Sequence, residues 1–448
     1  MKNKRSGTIQ IFTMVIVYKF ILEYAYTNIV SKYWGYWFPK GNQDIVKYFF
    51  TWLLVLLPLA ILKFHKETLS NYTLNTLYLI NYIPGCILLG YSSVDIQYMC
   101  MFCLFWGTLM VLNLVIPYFS PHINGSHKGK VISEIELSYF CFVIIGIWII
   151  YAGARMRLAL SDIYSARMEA RSYNMPVFLA YVFSFAKSLI RVSILVNLCK
   201  RKWKESIALT GVGIIVYLIE GSKEALFSVF LVWLIWLAYY IITKDKIWLY
   251  IIGGLNALGM GSIILIRFFN LIAPSSYFFQ RLLFLPSVIN MHYYIYFKGA
   301  EKDFFRQSIV GKITGMKSPY NMELPRLMGK YIFNNSETNA NTGLIGDAYA
   351  NLGFIGIIAM PIFIILLLRL IDLCMKGLPS QIYIFMGIIM SVTLLSNSFF
   401  TILLSNGVVI IMLYLLLTGK EKRKKTKKLF IKITRRDKIE CKNWSKRR

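Results

Sequence analysis

The chain consists of long apolar runs separated by short polar connections. The runs are about 20 residues long, the length at which a helix crosses the hydrocarbon core of a bilayer. We place about twelve such spans. The pattern therefore predicts an all-α, polytopic membrane helical bundle over residues 1–419, followed by a tail at 420–448. The predicted spans lie near residues 8–30, 45–62, 73–93, 98–119, 137–154, 176–198, 206–221, 225–243, 247–267, 344–371, 381–398 and 402–418.

The short connections predict the orientation of this bundle. Every second connection is rich in lysine or arginine, and such loops mark the cytoplasmic side of a membrane. The tail at 420–448 holds 15 basic and 3 acidic residues, so it belongs on the same side. We therefore expect both termini in the cytoplasm, which agrees with an even number of spans. The basic connections contain Lys63 and Lys66, Lys128 and Lys130, Lys200 to Lys204, and Lys244 and Lys246.

Two segments predicted on the outer side depart from this charge rule. Residues 155–175 contain four arginines, and residues 268–343, the one long external loop, contain eight basic and four acidic residues. Long loops are exempt from the rule, but short ones are not. An anionic substrate is the simplest reason for positive charge at 155–175.

Composition narrows the class further. With 57% hydrophobic residues and a mean hydropathy of +0.56, the chain is too apolar for a soluble domain. Its net charge of +29 is concentrated in the predicted cytoplasmic parts. Such a distribution indicates membrane lipids rather than nucleic acid as the partner. Cys100 and Cys103 have zinc spacing without a second pair, and nucleotide-binding motifs are absent, so we expect no metal and no other cofactor.

The most informative stretch runs from Glu337 to Asp372. It starts polar and becomes apolar at a span length, so Asp347 and the asparagines around it gather where a helix enters the membrane. Gly346, Ala350 and Gly353 are spaced to form one face of small residues on that helix. Two interpretations stay open: a helix end that lines a site at the membrane surface, and an ordinary helix start.

Several outward cations suit an anionic ligand. Arg167 and Arg171 are four residues apart and would share a helix face, where two guanidinium groups fit a diphosphate. Solvated arginines or lipid contacts explain them equally well. Lys187 and Arg191 share a face inside a span, where charges are costly and usually face the bundle interior. A helix-packing or snorkelling role is the alternative for this pair, and it is the one we favour for Lys19 and Glu23 in the first span.

Arg281 is the second residue of the segment QRLLFLPSVINMHYYIYF. Its apolar stripe and tyrosines predict an amphipathic helix in the membrane interface, with the tyrosines at headgroup depth. His292 is the only histidine of the long loop. It suits a general base by its ordinary pKa, but no acid lies at local spacing to orient it, and we favour a structural role.

Three of these stretches resemble the Wzy-type oligosaccharide repeat-unit polymerases, relatives of the O-antigen ligases in the GT-C superfamily. They are the turn GSKEAL, in which Lys223 stands where the family often has arginine, the segment 281–297, and the segment NTGLIGDAY that begins at Asn341. The predicted long outer loop before the last three spans also resembles that family.

The resemblance implies a glycosyltransferase of the bacterial inner (cytoplasmic) membrane that acts on the outer face. Its substrate would be an oligosaccharide linked to undecaprenyl pyrophosphate, and its product an O-antigen or capsule-type polysaccharide. A chain-length regulator protein would be a further partner. On this reading the candidate catalytic residues are Arg281, Asp347, Glu337 and His292, and the candidate pyrophosphate-binding residues are Arg157, Arg167, Arg171, Lys223 and Arg326.

Two other functions remain open from the sequence. A flippase or transporter of lipid-linked oligosaccharide also fits about twelve spans with buried charge. An O-antigen ligase would share the chemistry and differ in its acceptor.

Overall fold

The computed structural model describes residues 2–38, 45–119, 134–152, 176–220 and 223–417. These residues form helices and no strand. The main helices, with the Leu69–Tyr91 stretch taken as one, are α1 Lys2–Ala25, α2 Ile45–Ile61, α3 Leu69–Tyr91, α4 Ile96–Val115, α5 Glu134–Ala152, α6 Val177–Cys199, α7 Trp203–Glu220, α8 Lys223–Ile241, α9 Ile247–Phe269, α10 Leu285–Lys298, α11 Ile309–Thr314, α12 Leu324–Phe333, α13 Leu344–Cys374, α14 Ser380–Ser396, α15 Phe399–Leu403 and α16 Val408–Leu417. Shorter helical segments at Tyr26–Val30 and Ser31–Tyr33 continue α1, Lys244–Lys246 precedes α9, and Ile272–Ser275 and Ser276–Phe284 lead into α10.

The structure confirms the prediction of an all-helical membrane protein in its coarse form. Each predicted span coincides with a helix, and the last coincides with the pair α15 and α16. Seven helical stretches are long and apolar enough to cross a membrane. The count of twelve and the placement of the termini remain predictions, and the tail at 420–448 lies outside the described residues. The seven stretches are Gly7–Tyr33, Leu69–Tyr91, Ile96–Val115, Phe178–Cys199, Lys244–Phe269, Leu344–Cys374 and Phe399–Leu416.

Three of the connections predicted to be cytoplasmic meet at one end of the bundle. Glu67, after α2, pairs with Lys244, before α9, at 3.5 Å. Lys244 also donates a hydrogen bond of 2.6 Å to Ser380 at the start of α14. We call this the basic end. The predicted long loop 268–343 is helical over Ile272–Lys298, and its remaining part at 299–343 ends at the opposite end of the bundle, because Gly343 donates to the carbonyl of Leu395 at the end of α14.

A buried charged pair near the basic end fixes α13 against its neighbours. Arg369 is fully buried and donates to two carbonyls at the end of α4, those of Asn113 in its last turn and of Ile116 just after it, at 2.6 and 3.1 Å. Asp372 accepts a hydrogen bond of 2.6 Å from the backbone of Leu69, the first residue of α3. These bonds satisfy backbone groups that helix ends leave free, so they set the register of α13 against both helices.

The helix α13 is interrupted near its start. Gly353 has a φ of +60°, so the predicted small-residue face does not continue through it as one helix. The carbonyls of Ala350 and Asn351 instead accept hydrogen bonds from the backbones of Asp303 and Phe304, at 3.0 and 3.1 Å. The break therefore gives the long loop a docking point on α13.

The final predicted span is also interrupted. Residues Leu404–Gly407 separate α15 from α16, and Gly407 has a φ of +69°. The hydroxyl groups of Ser184 and Ser188 on α6 donate to the carbonyls of Ser405 and Asn406, at 2.7 and 3.0 Å. Side chains of a neighbouring helix thus replace the hydrogen bonds that the break removes.

Candidate functional site

A cavity of about 210 Å³ lies among α6, α7, α8, α14 and the break before α16. It extends from the middle of the bundle toward the end opposite the basic end, because its wall runs from Phe385 within α14 to Glu220 at the end of α7. A cavity needs only roughly 10–15 Å³ to hold one water, so this one has room for a polar group of many atoms. Its polar side chains include Ser184, Lys187, Ser188, Arg191, Glu220 and Thr393.

Two cations and one carboxylate determine the charge of this cavity. Lys187 Nζ lies 2.6 Å from Glu220 Oε1, and both side chains are mostly buried. Arg191 lines the same cavity one turn further along α6. Charges at such positions in a membrane bundle are costly and indicate a functional pathway or site. Two cationic side chains on one helix face suit the oxygens of an anionic ligand.

The sequence singled out Lys187 and Arg191 as charges inside a span and left their role open, and it placed Glu220 in a turn. Their spacing on one helix face was the signal that could have identified the site, since two cations in one apolar span rarely face lipid. The contribution of α14 and of the broken segment could not be seen, because it depends on packing between helices far apart in the chain.

Four of the predicted pyrophosphate-binding residues lie close in the sequence to helices that form this cavity. Arg157, Arg167 and Arg171 lie outside the described residues. Their segment leads directly into α6. Lys223 is the first residue of α8, three residues after Glu220. The structure describes the backbone of Lys223 and not its side chain.

Asp347 lies in the first turn of α13 and is buried. One carboxylate oxygen accepts a hydrogen bond of 2.9 Å from Asn351 Nδ2, and the other accepts one of 3.0 Å from the backbone of Phe399. Both oxygens are therefore engaged with this chain. The arrangement suits the fixing of α15 to α13 better than the uptake of a proton from a substrate.

The other predicted catalytic groups lie apart from the cavity wall. Arg281 is exposed, and its guanidinium group lies 5.5 Å from the ring of Tyr277. Glu337 is exposed beside α12. Arg326, a predicted pyrophosphate ligand, is half-exposed and lies 3.8 Å from Glu323. Within the described residues, no hydrogen bond or ion pair joins these groups to one another or to Asp347.

His292 lies on α10, with its ring 6.3 Å from that of Tyr331. Burial lowers its pKa. Its Nε2 atom is buried and has no hydrogen-bond partner among the described residues. The neutral imidazole is therefore the favoured form in the fold.

The helix α10 buries against protein two of the tyrosines that its sequence placed among lipid headgroups. Tyr293 and Tyr294 are buried, at 3% and 1% exposure, because α10 packs against α13. Asn290 explains this packing: its Oδ1 accepts hydrogen bonds from the backbone of Gly346 and from the hydroxyl of Thr342, at 2.7 and 2.8 Å. The motif around Asn341 therefore forms a helix start that α10 caps.

A second polar cluster, which the sequence did not predict, joins α10 to the start of α4. Lys298 Nζ lies 2.6 Å from Asp95, and the hydroxyl of Tyr294 donates to the same carboxylate at 3.0 Å. The bond from Lys298 is the main reason that the pKa of Asp95 falls to about 2. Both charged groups are well exposed, so this cluster anchors the loop at the surface.

The described residues contain no group of three or more histidine, cysteine, aspartate or glutamate side chains that could hold a metal. Cys100 and Cys103 both occur as free thiols on α4. No family profile, no curated protein and no solved structure matches the chain.

Proposed function

We propose that this protein polymerises oligosaccharide repeat units carried on a polyprenyl diphosphate, by inverting glycosyl transfer at the outer face of a bacterial cytoplasmic membrane. The observation that carries the proposal is the cavity whose wall holds Lys187, Arg191 and Glu220. It extends into the half of the bundle that the loop charges predict to be outside. A lipid-linked diphosphate can approach such a site from within the membrane.

The proposed reaction needs no cofactor, because the donor sugar is already activated. A hydroxyl oxygen of the acceptor repeat unit attacks the anomeric carbon of the donor glycan. The new glycosidic bond forms as the bond from that carbon to the diphosphate oxygen breaks. The hydroxyl proton passes to a carboxylate or to solvent, and the polyprenyl diphosphate leaves with the bonding electrons.

Lys187 and Arg191 fit the demand of this step for fixed positive charge. Negative charge grows on the leaving diphosphate in the transition state, and preorganised cations stabilise it most. Glu220 is the carboxylate of the cavity, and it becomes available as a proton acceptor when Lys187 turns to the diphosphate. The hydroxyl oxygens of Ser184, Ser188 and Thr393 line the cavity and can accept hydrogen bonds from sugar hydroxyls, while the protons of the two serines stay on the carbonyls of Ser405 and Asn406.

The test is reconstitution of the purified chain with a lipid-diphosphate repeat unit and no nucleotide or metal. We expect a ladder of products. Arg191→Gln should reduce the ladder at least 100-fold, while Lys376→Gln, which changes an exposed lysine at the basic end, should leave it intact. A folded wild-type protein that forms no ladder would refute the proposal.

A second candidate is a carrier of the same lipid-linked oligosaccharide. The observation that favours it is the pair of breaks in α13 and before α16, since interrupted helices are typical of transporter binding sites. Vesicles that move the lipid across the bilayer without extending it would support this candidate. An O-antigen ligase would instead join the glycan to an added lipid A core.

A further inference from the structure

A groove of about 650 Å³ lies between α1, α2 and the turn that follows α2. It lies at the basic end of the bundle, and none of its lining residues lines the charged cavity. Its walls are apolar and include Ile11, Phe12, Leu56 and Leu59. Both helices are apolar and lie along the outside of the bundle, so the groove opens where lipid chains would lie.

One end of this groove is basic. Lys63, His65 and Lys66 line it and are exposed to solvent. Lys66 Nζ lies 3.6 Å from the centre of the Tyr118 ring, which holds that lysine in place. A side chain built at Gly7 would come within 3.9 Å of His65, so the start of α1 lies beside the same turn.

The charges around this turn are predominantly positive. The sequence places Lys2, Lys4 and Arg5 in the first turns of α1, ahead of Gly7. The nearest carboxylate in sequence, Glu67, accepts a hydrogen bond from Ser380 and pairs with Lys244 on other elements. The groove therefore combines an apolar channel with a cationic mouth.

We propose that this groove binds one anionic phospholipid, with an acyl chain along Ile11 and Leu59 and the phosphate at Lys63 and Lys66. The site is separate from the proposed catalytic cavity and does not depend on its function. The apolar walls suit an acyl chain, and the cations suit a headgroup phosphate. The chain's own tail at 420–448 is a poor occupant, because its net charge of +12 would be repelled.

Lipid binding to the full chain in a neutral detergent tests the proposal. Native mass spectrometry would compare phosphatidylglycerol with phosphatidylcholine of the same chain length. We expect at least tenfold tighter binding of phosphatidylglycerol, since each lysine near a headgroup contributes roughly fivefold. Lys63→Gln with Lys66→Gln should remove most of this preference, and added salt should weaken it.

Two control variants separate a built site from general attraction to lipid. Lys246→Gln with Lys376→Gln removes two exposed lysines at the same end and should keep the preference. Ala60→Phe places a ring in the groove and should weaken binding of both lipids. If the two lysine pairs have the same effect, or if Ala60→Phe has none, the lipids are only a surface annulus and the proposal fails. If the Lys63 and Lys66 double variant does not fold, Lys63→Gln alone should give at least a threefold loss.

Discussion

The carboxylate of Asp347 accepts a hydrogen bond of 3.0 Å from the backbone N–H of Phe399. This contact joins the first turn of α13 to the first residue of α15. The segment Leu404–Gly407 follows α15 and forms part of the cavity wall. Asp347 is therefore connected to the cavity through α15, and we interpret it as a residue that positions the Leu404–Gly407 segment.

Replacement of Asp347 should affect folding before it affects chemistry. Asp347→Ala leaves the N–H of Phe399 without its acceptor, and a buried unsatisfied donor costs about 1–3 kcal/mol. The amide of Asn351 loses one of its two acceptors and keeps the backbone carbonyl of residue 347. We expect a clear fall in the thermal unfolding midpoint of the purified protein. Asp347→Asn keeps one acceptor oxygen, so its unfolding midpoint should lie between those of Asp347→Ala and the wild type.

The same variants distinguish a positioning role from a general base. If Asp347 is a positioning residue, Asp347→Asn should lose polymerisation activity in proportion to its loss of stability. The pH dependence of its remaining activity should match that of the wild type. If that variant were as stable as the wild type yet inactive at every pH, Asp347 would act as the base instead.

The ion pair between Lys187 and Glu220 should contribute to stability as a unit. Lys187→Met or Glu220→Gln alone leaves a mostly buried charge without its partner, whereas the double variant removes both charges. A double-mutant cycle on the unfolding free energy should give a coupling of about 1–2 kcal/mol. The exposed pair of Lys244 and Glu67 is the control, and its coupling should stay below about 1 kcal/mol. Equal couplings would mean that the cavity pair is as well solvated as the surface pair.

His292 should make the fold sensitive to acid. Its pKa is lowered in the fold by burial, so below about pH 6.5 the unfolded chain takes up the proton first. Stability should therefore fall as the pH drops from 7 to 5. His292→Gln should flatten this dependence in thermal unfolding, while His65→Gln, at an exposed position, should not. If the stability of His292→Gln fell with pH as steeply as that of the wild type, His292 would not be the cause of the acid sensitivity.

The sequence predicted the helices well because apolar runs of span length have few alternatives to a helix in lipid. It also located a helix start at Asp347 and nearby asparagines. It missed the break at Gly353, because a glycine in an apolar run looks the same whether the helix continues or not. It also misplaced Tyr293 and Tyr294, since an amphipathic stripe does not show whether the partner is lipid or another helix. The cavity could not be predicted, because it depends on five helices converging.

Gly343 should be the least replaceable glycine at the start of α13. An added Cβ would lie 1.9 Å from the carbonyl oxygen of Leu394 and 2.6 Å from that of Asn397, and both are backbone atoms that cannot move alone. We expect Gly343→Ala to lower the unfolding free energy by more than about 2 kcal/mol, as overpacking does. The control is Gly107→Ala on α4, where nothing lies within 4 Å and alanine should stabilise the helix by up to about 1 kcal/mol. Thermal unfolding of both variants in one detergent would measure the contrast. A Gly343 variant as stable as the Gly107 variant would mean that α13 and α14 are further apart than this packing requires.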